Sequence, residues 1–124
     1  MIYADIDGLK RVNDTFGHDA GTALILGAAD VMKNSFRAAD VLARLGGDEF
    51  VALAAVSRAD ADTIVNRLKW HLDKFNATAG LPYPLALSVG MAHMEPDSPK
   101  SLEELVHEAD AVMYEQKRRL PGRR

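Results

Sequence analysis

Four carboxylates and two glycines carry the chemistry this sequence can do. Asp48 and Glu49 follow Gly46 and Gly47 in Arg44-Leu45-Gly46-Gly47-Asp48-Glu49-Phe50. Asp5 and Asp7 close the apolar run that opens the chain. A glycine pair makes a turn at φ values that side chains resist, and it leaves backbone that a phosphate can approach closely. Residues two apart on a strand point to one face, so Asp5 and Asp7 share one. Taken singly, each acidic pair fits a solvated strand end or an ordinary hairpin. Together, Asp5 from one strand and Asp48 from a neighbouring hairpin can share Mg²⁺. That ion prefers oxygen ligands and usually binds through one or two carboxylates plus substrate phosphates. The chemistry indicated is a divalent metal carrying a nucleotide.

The rest of the chain must position these groups. Apolar runs at residues 41–43 and 50–53 flank Gly46-Gly47, which predicts a β-hairpin. Residues 19–37 repeat Ala20, Leu24, Gly27 and Val31 at helical spacing, which predicts a helix packed on a sheet. Ser57-Arg58-Ala59-Asp60 has a capping-box pattern. After it, Ala61, Ile64, Val65, Leu68, Leu72 and Phe75 fall on one helix face. Residues 80–84 break that helix, residues 85–92 read as a strand and residues 95–99 as a loop. Ser101 to Glu104 caps a last helix with Leu102, Leu105, Val106, Ala109 and Met113 inward. Apolar helical residues, Met32 and Met113 among them, are core by default. The order is strand, helices, hairpin, helix, strand, helix. It predicts the α+β class, an antiparallel sheet with flanking helices.

With 124 residues the chain is long enough for one domain, residues 1–124, and not two. A net charge of −3 argues against general binding to nucleic-acid polymers or anionic membranes. The absence of cysteine excludes disulfides and thiol catalysis and fits a reducing compartment. No apolar run approaches a membrane span, and no secretory signal precedes the first strand. A cytoplasmic setting is the expectation.

Four ordered blocks carry a family resemblance. They are residues 5–21 (Asp-Ile-Asp through Gly-His-Asp-Ala-Gly), residues 37–50 (Arg37 through Gly-Gly-Asp-Glu-Phe), residues 87–92 and residues 109–117. In this order and over nearly the whole chain, the sequence resembles the GGDEF domain of diguanylate cyclases. The resemblance implies the nucleotide-cyclase and polymerase-palm version of the fold. It implies condensation of two GTP into cyclic di-GMP with release of two pyrophosphates, using Mg²⁺ or Mn²⁺. Each domain would hold one GTP, and a homodimer would bring two together.

The same resemblance assigns residues. Asp5, Asp48 and the Ile6 carbonyl would hold metal. Asp48, Glu49 and Lys10 would be catalytic, with Glu49 a candidate proton acceptor and Lys10 near the phosphates. Gly46 and Gly47 would let phosphate oxygens lie against bare backbone, and Lys117 would contact the terminal phosphates. Asn13 matches a guanine-binding residue. Thr22 stands where the family pattern usually has Asp, and one hydroxyl pairs less strongly than a carboxylate with two donors, so either Asn13 suffices and Thr22 is a weaker contact, or guanine selection is looser. Pro121 stands where an arginine is usual, leaving Arg118, Arg119 and Arg123 as possible substitutes. Arg37 and Asp40 match the spacing of the inhibitory RxxD site, where product binds. His18 reads as structural or a helix-start residue.

Three other readings fit parts of this pattern. One is a non-catalytic module that binds GTP or cyclic di-GMP. The second is a cyclase that also accepts ATP and makes a mixed product. The third, more distant, is a structural dimerisation domain. Family members usually carry a helix and an Asp-x-Leu-Thr-type segment before the first strand, attached to a sensor domain. The expectation is a shortened chain without them, with Met1 not the natural start.

Overall fold

The computed structural model describes residues 1–38 and 40–119. Strand β1 (Ile2–Ile6) leads into helices α1 (Leu9–Phe16) and α2 (His18–Ser35). The hairpin follows as β2 (Val41–Arg44) and β3 (Glu49–Leu53). After it come a 3₁₀ turn at Arg58–Asp60, helix α3 (Ala61–Thr78), strand β4 (Leu87–Met91) and helix α4 (Leu102–Arg118). The strands form one sheet in the order β2-β3-β1-β4, and every neighbouring pair is antiparallel. The α+β expectation holds.

Period two divides the sheet between two layers of helix. Ala4, Ile6, Phe50 and Ala52 face α1, α2 and α3, where they are buried with Val12, Leu24, Ala28, Val31, Met32 and Leu68. Tyr3, on the opposite face of β1, packs with Ala92, Leu105, Ala109 and Met113 under α4. Gly90 allows that approach, since a Cβ there would stand 2.0 Å from the Ala109 carbonyl oxygen. The sheet is thus sandwiched, with its acidic strand ends on the α4 side.

Several boundaries differ from the sequence expectation, each for a local reason. Helix α2 stops at Ser35 rather than 37. The Arg37 amide donates to the Asp40 carboxylate at 2.8 Å, and a side chain that offers the backbone such a partner competes with helix. Ser57 does not cap α3: its hydroxyl donates to Asp60 Oδ2 at 2.9 Å, and the helix begins at Ala61 after the 3₁₀ turn. Strand β4 starts at Leu87, because the Asn76 side chain takes both backbone groups of Leu85 at 2.8 Å. At α4 the predicted capping box is complete, with Ser101 Oγ accepting from the Glu104 amide and Glu104 Oε1 accepting from the Ser101 amide. Leu102, expected inward, is 59% exposed. It is the first residue of α4, one turn before the buried cluster begins at Leu105.

Candidate active site

The antiparallel register builds the site. Asp5 lies directly opposite Glu49 on β3 and opposite Ser88 on β4, so all three side chains leave the same face of the sheet. The Ile6 amide donates to the Asp48 carbonyl at 2.9 Å, tying the end of β1 to the hairpin. Asp7 is buried and accepts from Ser88 Oγ at 2.6 Å. Asp5 and Asp7 do share a face, but Asp7 faces a serine of β4 while Asp5 faces the hairpin carboxylates.

Burial pushes the Asp5 carboxyl up to about 7. The hydrogen bond from Lys117 pulls it back, and the neighbouring Asp48 charge pushes it further up. Lys117 Nζ, on the last turn of α4, donates to Asp5 Oδ2 at 3.0 Å. The other oxygen, Oδ1, is buried without a hydrogen-bond partner among the described residues. A buried carboxylate oxygen left unpaired is costly, and a cation shared with Asp48 would satisfy it. No cluster of three or more His, Asp or Glu side chains able to hold a metal occurs among the described residues. Two carboxylates with room for phosphate is the donor set that suits Mg²⁺ rather than a closed protein cage.

The hairpin tip spans residues 45–48, and Gly46 and Gly47 do not adopt the positive φ expected of them. What they supply is the missing side chain. Nothing lies within 4 Å of where a Gly47 Cβ would stand, and a Gly46 Cβ would meet only Glu49 Oε1, at 3.2 Å. Arg44 braces the tip, its Nε donating to the Gly46 carbonyl at 2.8 Å and its Nη2 to that of Gly47 at 2.9 Å. Glu49 is anchored as well, because the Tyr3 hydroxyl donates to its Oε2. Burial, then Glu49 itself, pushes the Tyr3 hydroxyl well above its ordinary range, so it stays protonated and donating. A cavity of about 250 Å³ opens here, with Asp5, Glu49, Asp110, Tyr114 and Lys117 in its wall.

A larger cavity of about 430 Å³ lies at the opposite end of the sheet, between Met1, the segment 54–58 and the segment 91–96. Its walls are mainly apolar, and its carboxylate, Glu95, is paired with Arg58 at 3.1 Å. The carboxylates Asp5, Glu49 and Asp110 converge instead at the smaller cavity.

Beyond β1, Lys10 is exposed on the first turn of α1. Asn13 packs against α2 at Gly21, where a Cβ would stand 1.7 Å from Asn13 Oδ1. Thr22, the next residue, is exposed. Asn13 therefore sits at the contact between α1 and α2, which are joined at Gly17, whose φ of 93° ends α1. Arg118 pairs with Glu115 at 3.0 Å, and Arg119 follows the end of α4. Pro121 and Arg123 lie outside the described residues.

Arg37 and Asp40 lie apart from these residues, before β2. Asp40 Oδ1 accepts from Arg37 Nη2 at 3.3 Å. Burial works against the Asp40 carboxylate, but the Arg37 amide and guanidinium outweigh it and hold it below the usual carboxylate range. A cavity of about 270 Å³ joins both to Asp60, Thr63 and Arg67. Arg67, from α3, has no counterpart in the sequence reading. Tyr3 is a second omission, although its place two residues before Asp5 puts it on the carboxylate face by period alone.

Comparisons with known proteins identify the family and the fold. A family model described as "Diguanylate cyclase, GGDEF domain" matches residues 1–123. The chain is 36% identical over 118 residues to the bifunctional diguanylate cyclase/cyclic di-GMP phosphodiesterase MucR of Pseudomonas aeruginosa, covering 94% of this chain and 17% of that protein. It is 33% identical over 127 residues to the diguanylate cyclase TpbB of the same species, covering 100% of this chain and 29% of that one. It thus spans less than a third of either relative. Among solved structures, the TpbB GGDEF domain superposes with a TM-score of 0.80 at 32% identity, over 98% of this chain and 72% of that one. The GGDEF domain of DgcB from Caulobacter crescentus, in complex with c-di-GMP, gives 0.74 at 26% identity, over 94% and 70%.

Proposed function

We propose that this chain, which belongs to the GGDEF family of diguanylate cyclase domains, condenses two GTP into cyclic di-GMP and releases two pyrophosphates. The observation that carries the reading is Asp5 beside Asp48, with one buried oxygen of Asp5 unsatisfied next to an open glycine turn. Each chain holds one GTP, and a homodimer faces the two sites toward each other. The 3′ oxygen of one GTP attacks the α-phosphorus of the other, its proton leaves, and pyrophosphate departs; the second half-reaction closes the ring.

Asp5, Asp48 and the Ile6 carbonyl hold Mg²⁺ or Mn²⁺. When bound, the ion lowers the pKa of the attacking hydroxyl and neutralises charge on the leaving group. The chain's own residues position and stabilise. Gly46 and Gly47 admit phosphate oxygens against the backbone, while Arg44 keeps that turn in shape. Glu49, anchored by Tyr3, stands next to Asp48 as the candidate proton acceptor. Lys10 and Lys117 bring positive charge to the phosphates. Asn13 and Thr22 read the base. Arg37, Asp40 and Arg67 form the product-inhibition site, supported by the cavity they share.

Thr22 favours a second reading, with ATP also accepted. A hydroxyl rotates to donate or accept, so it discriminates poorly between guanine and adenine edges. Mass spectrometry of products after incubation with equal GTP and ATP tests both. Cyclic di-GMP alone supports the first reading, and a mixed cyclic dinucleotide supports the second. Nucleotide binding without any product would make the chain a receptor. The Thr22→Asp variant should tighten selection for GTP, because a carboxylate pairs with the two guanine donors and repels the adenine lone pair. If the wild type already excludes ATP as strongly, Asn13 and backbone groups read the base without Thr22.

A further inference from the structure

We propose that Lys117 makes the acidic site selective for a metal–polyphosphate complex over the bare cation. The inference rests on the reading of Asp5 and Asp48 as metal ligands, and it adds an order of arrival. Lys117 Nζ lies 3.0 Å from Asp5 Oδ2, and both side chains are only 13% exposed. The two residues are 112 positions apart in sequence, so the pair exists only because α4 packs across β1. The ammonium therefore supplies positive charge to Asp5, where a divalent ion would otherwise do so, with the Asp48 charge close by.

A bare dication entering this site meets that ammonium at close range, and like charges repel strongly where water is scarce. To bind, it must expel Lys117 from Asp5 and leave a largely buried ammonium without a partner, which is costly. A metal carried by a nucleoside triphosphate brings its own anionic oxygens. The lysine stem is flexible and its ammonium has three rotatable donors, so it can pass from Asp5 to a phosphate without losing its partner. Asp5 then keeps a cation throughout, first the lysine and then the metal. The site ligand is the complex, and the free ion is rejected.

Calorimetric titration of the full chain with Mn²⁺ alone, and with Mn²⁺ plus a GTP analogue bearing a non-cleavable α–β bridge, tests this without reading turnover. Lys117→Met removes the charge and keeps the length. It should bind bare Mn²⁺ at least about tenfold more tightly than wild type and the metal–nucleotide complex at least about tenfold more weakly. Lys117→Arg keeps the charge and should reject bare Mn²⁺ as wild type does. Far-UV circular dichroism confirms that each variant is folded. If Lys117→Met shows no tightening toward bare Mn²⁺ beyond about twofold, the selectivity role is wrong. Adding Asp5→Asn separates the two layers of the argument. If that change abolishes binding of the metal–nucleotide complex while Lys117→Met leaves bare-metal affinity unaltered, only the Lys117 role fails. If Asp5→Asn leaves metal binding intact, the metal-site reading fails, and the Lys117 role with it.

Discussion

The Asp48 carboxylate is close enough to oppose the ionisation of Asp5, and two predictions follow from that contact. Asp48→Asn should lower turnover by more than about 100-fold while the chain stays folded, since a neutral amide is a poor ligand for a hard cation. A steady-state assay at saturating Mg²⁺ measures it, and near-normal turnover would remove Asp48 from the metal site. The second prediction concerns stability in the absence of metal. The Asp5 carboxyl is raised from 3.8 to about 7 on folding, first by burial. A raised carboxyl favours the folded state fully at low pH, and that advantage is lost as pH climbs through the folded value. In chelator, the melting temperature of Asp5→Asn minus that of wild type should therefore increase between about pH 4 and pH 7 and level off above. A difference independent of pH would mean that Asp5 ionises in the fold as freely as in the unfolded chain.

At the scale of elements, the site depends on how closely α4 lies against the sheet. That spacing is set at Gly90, where a Cβ would fall 2.0 Å from the Ala109 carbonyl oxygen and 2.3 Å from the Met113 amide nitrogen. Backbone atoms of a helix cannot step aside singly. Gly90→Ala must push α4 outward or bend β4, at a cost of about 1–3 kcal/mol or more. Urea unfolding should show the loss as a lower midpoint. The same displacement should loosen Lys117 from Asp5, so metal-free and nucleotide-bound forms should both suffer. A Gly90→Ala variant as stable as wild type would show that α4 is held less tightly than the packing indicates. The hairpin is held differently, by Arg44 reaching from β2 to two carbonyls of its own turn. This brace is local and exposed, and it acts on the shape of the tip more than on global stability.

For the molecule as a whole, the two polar sites lie at opposite ends of β2. That strand is four residues long, about 13 Å. Product bound at Arg37, Asp40 and Arg67 would thus be separate from the carboxylates, so the two activities should come apart by mutation. Arg37→Ala and Arg67→Ala should each weaken cyclic di-GMP binding by about 1.5–3 kcal/mol, roughly ten- to a hundredfold, while metal-dependent turnover persists. Calorimetry with cyclic di-GMP measures this. Unchanged affinity in Arg37→Ala would reject the inhibitory site, and unchanged affinity in Arg67→Ala alone would confine it to Arg37 and Asp40. Among the described residues, no helix is long and apolar enough to cross a membrane.

The sequence by itself determined the family, the hairpin and the capped last helix. These features are written within a few residues of one another, in turn chemistry, caps and the periods of strand and helix, so they can be read locally. It also pointed to Asp5 and Asp48 as partners, because the ordered blocks carried that pairing. Tertiary structure decided what lies across the fold. Arg67 reaches the Arg37–Asp40 turn only because α3 packs on α2, and nothing in its own neighbourhood in sequence marks it. Leu102 reads as core by spacing yet faces solvent, because the buried cluster under α4 begins one turn later. Gly46 and Gly47 were legible as a turn, but the turn closes without positive φ, and their open space depends on where Glu49 is held. Tyr3 holds it, across a strand pair, and Lys117 holds Asp5 across 112 residues. Such contacts arise from packing whole faces together, and a pattern confined to a few neighbouring residues does not contain them.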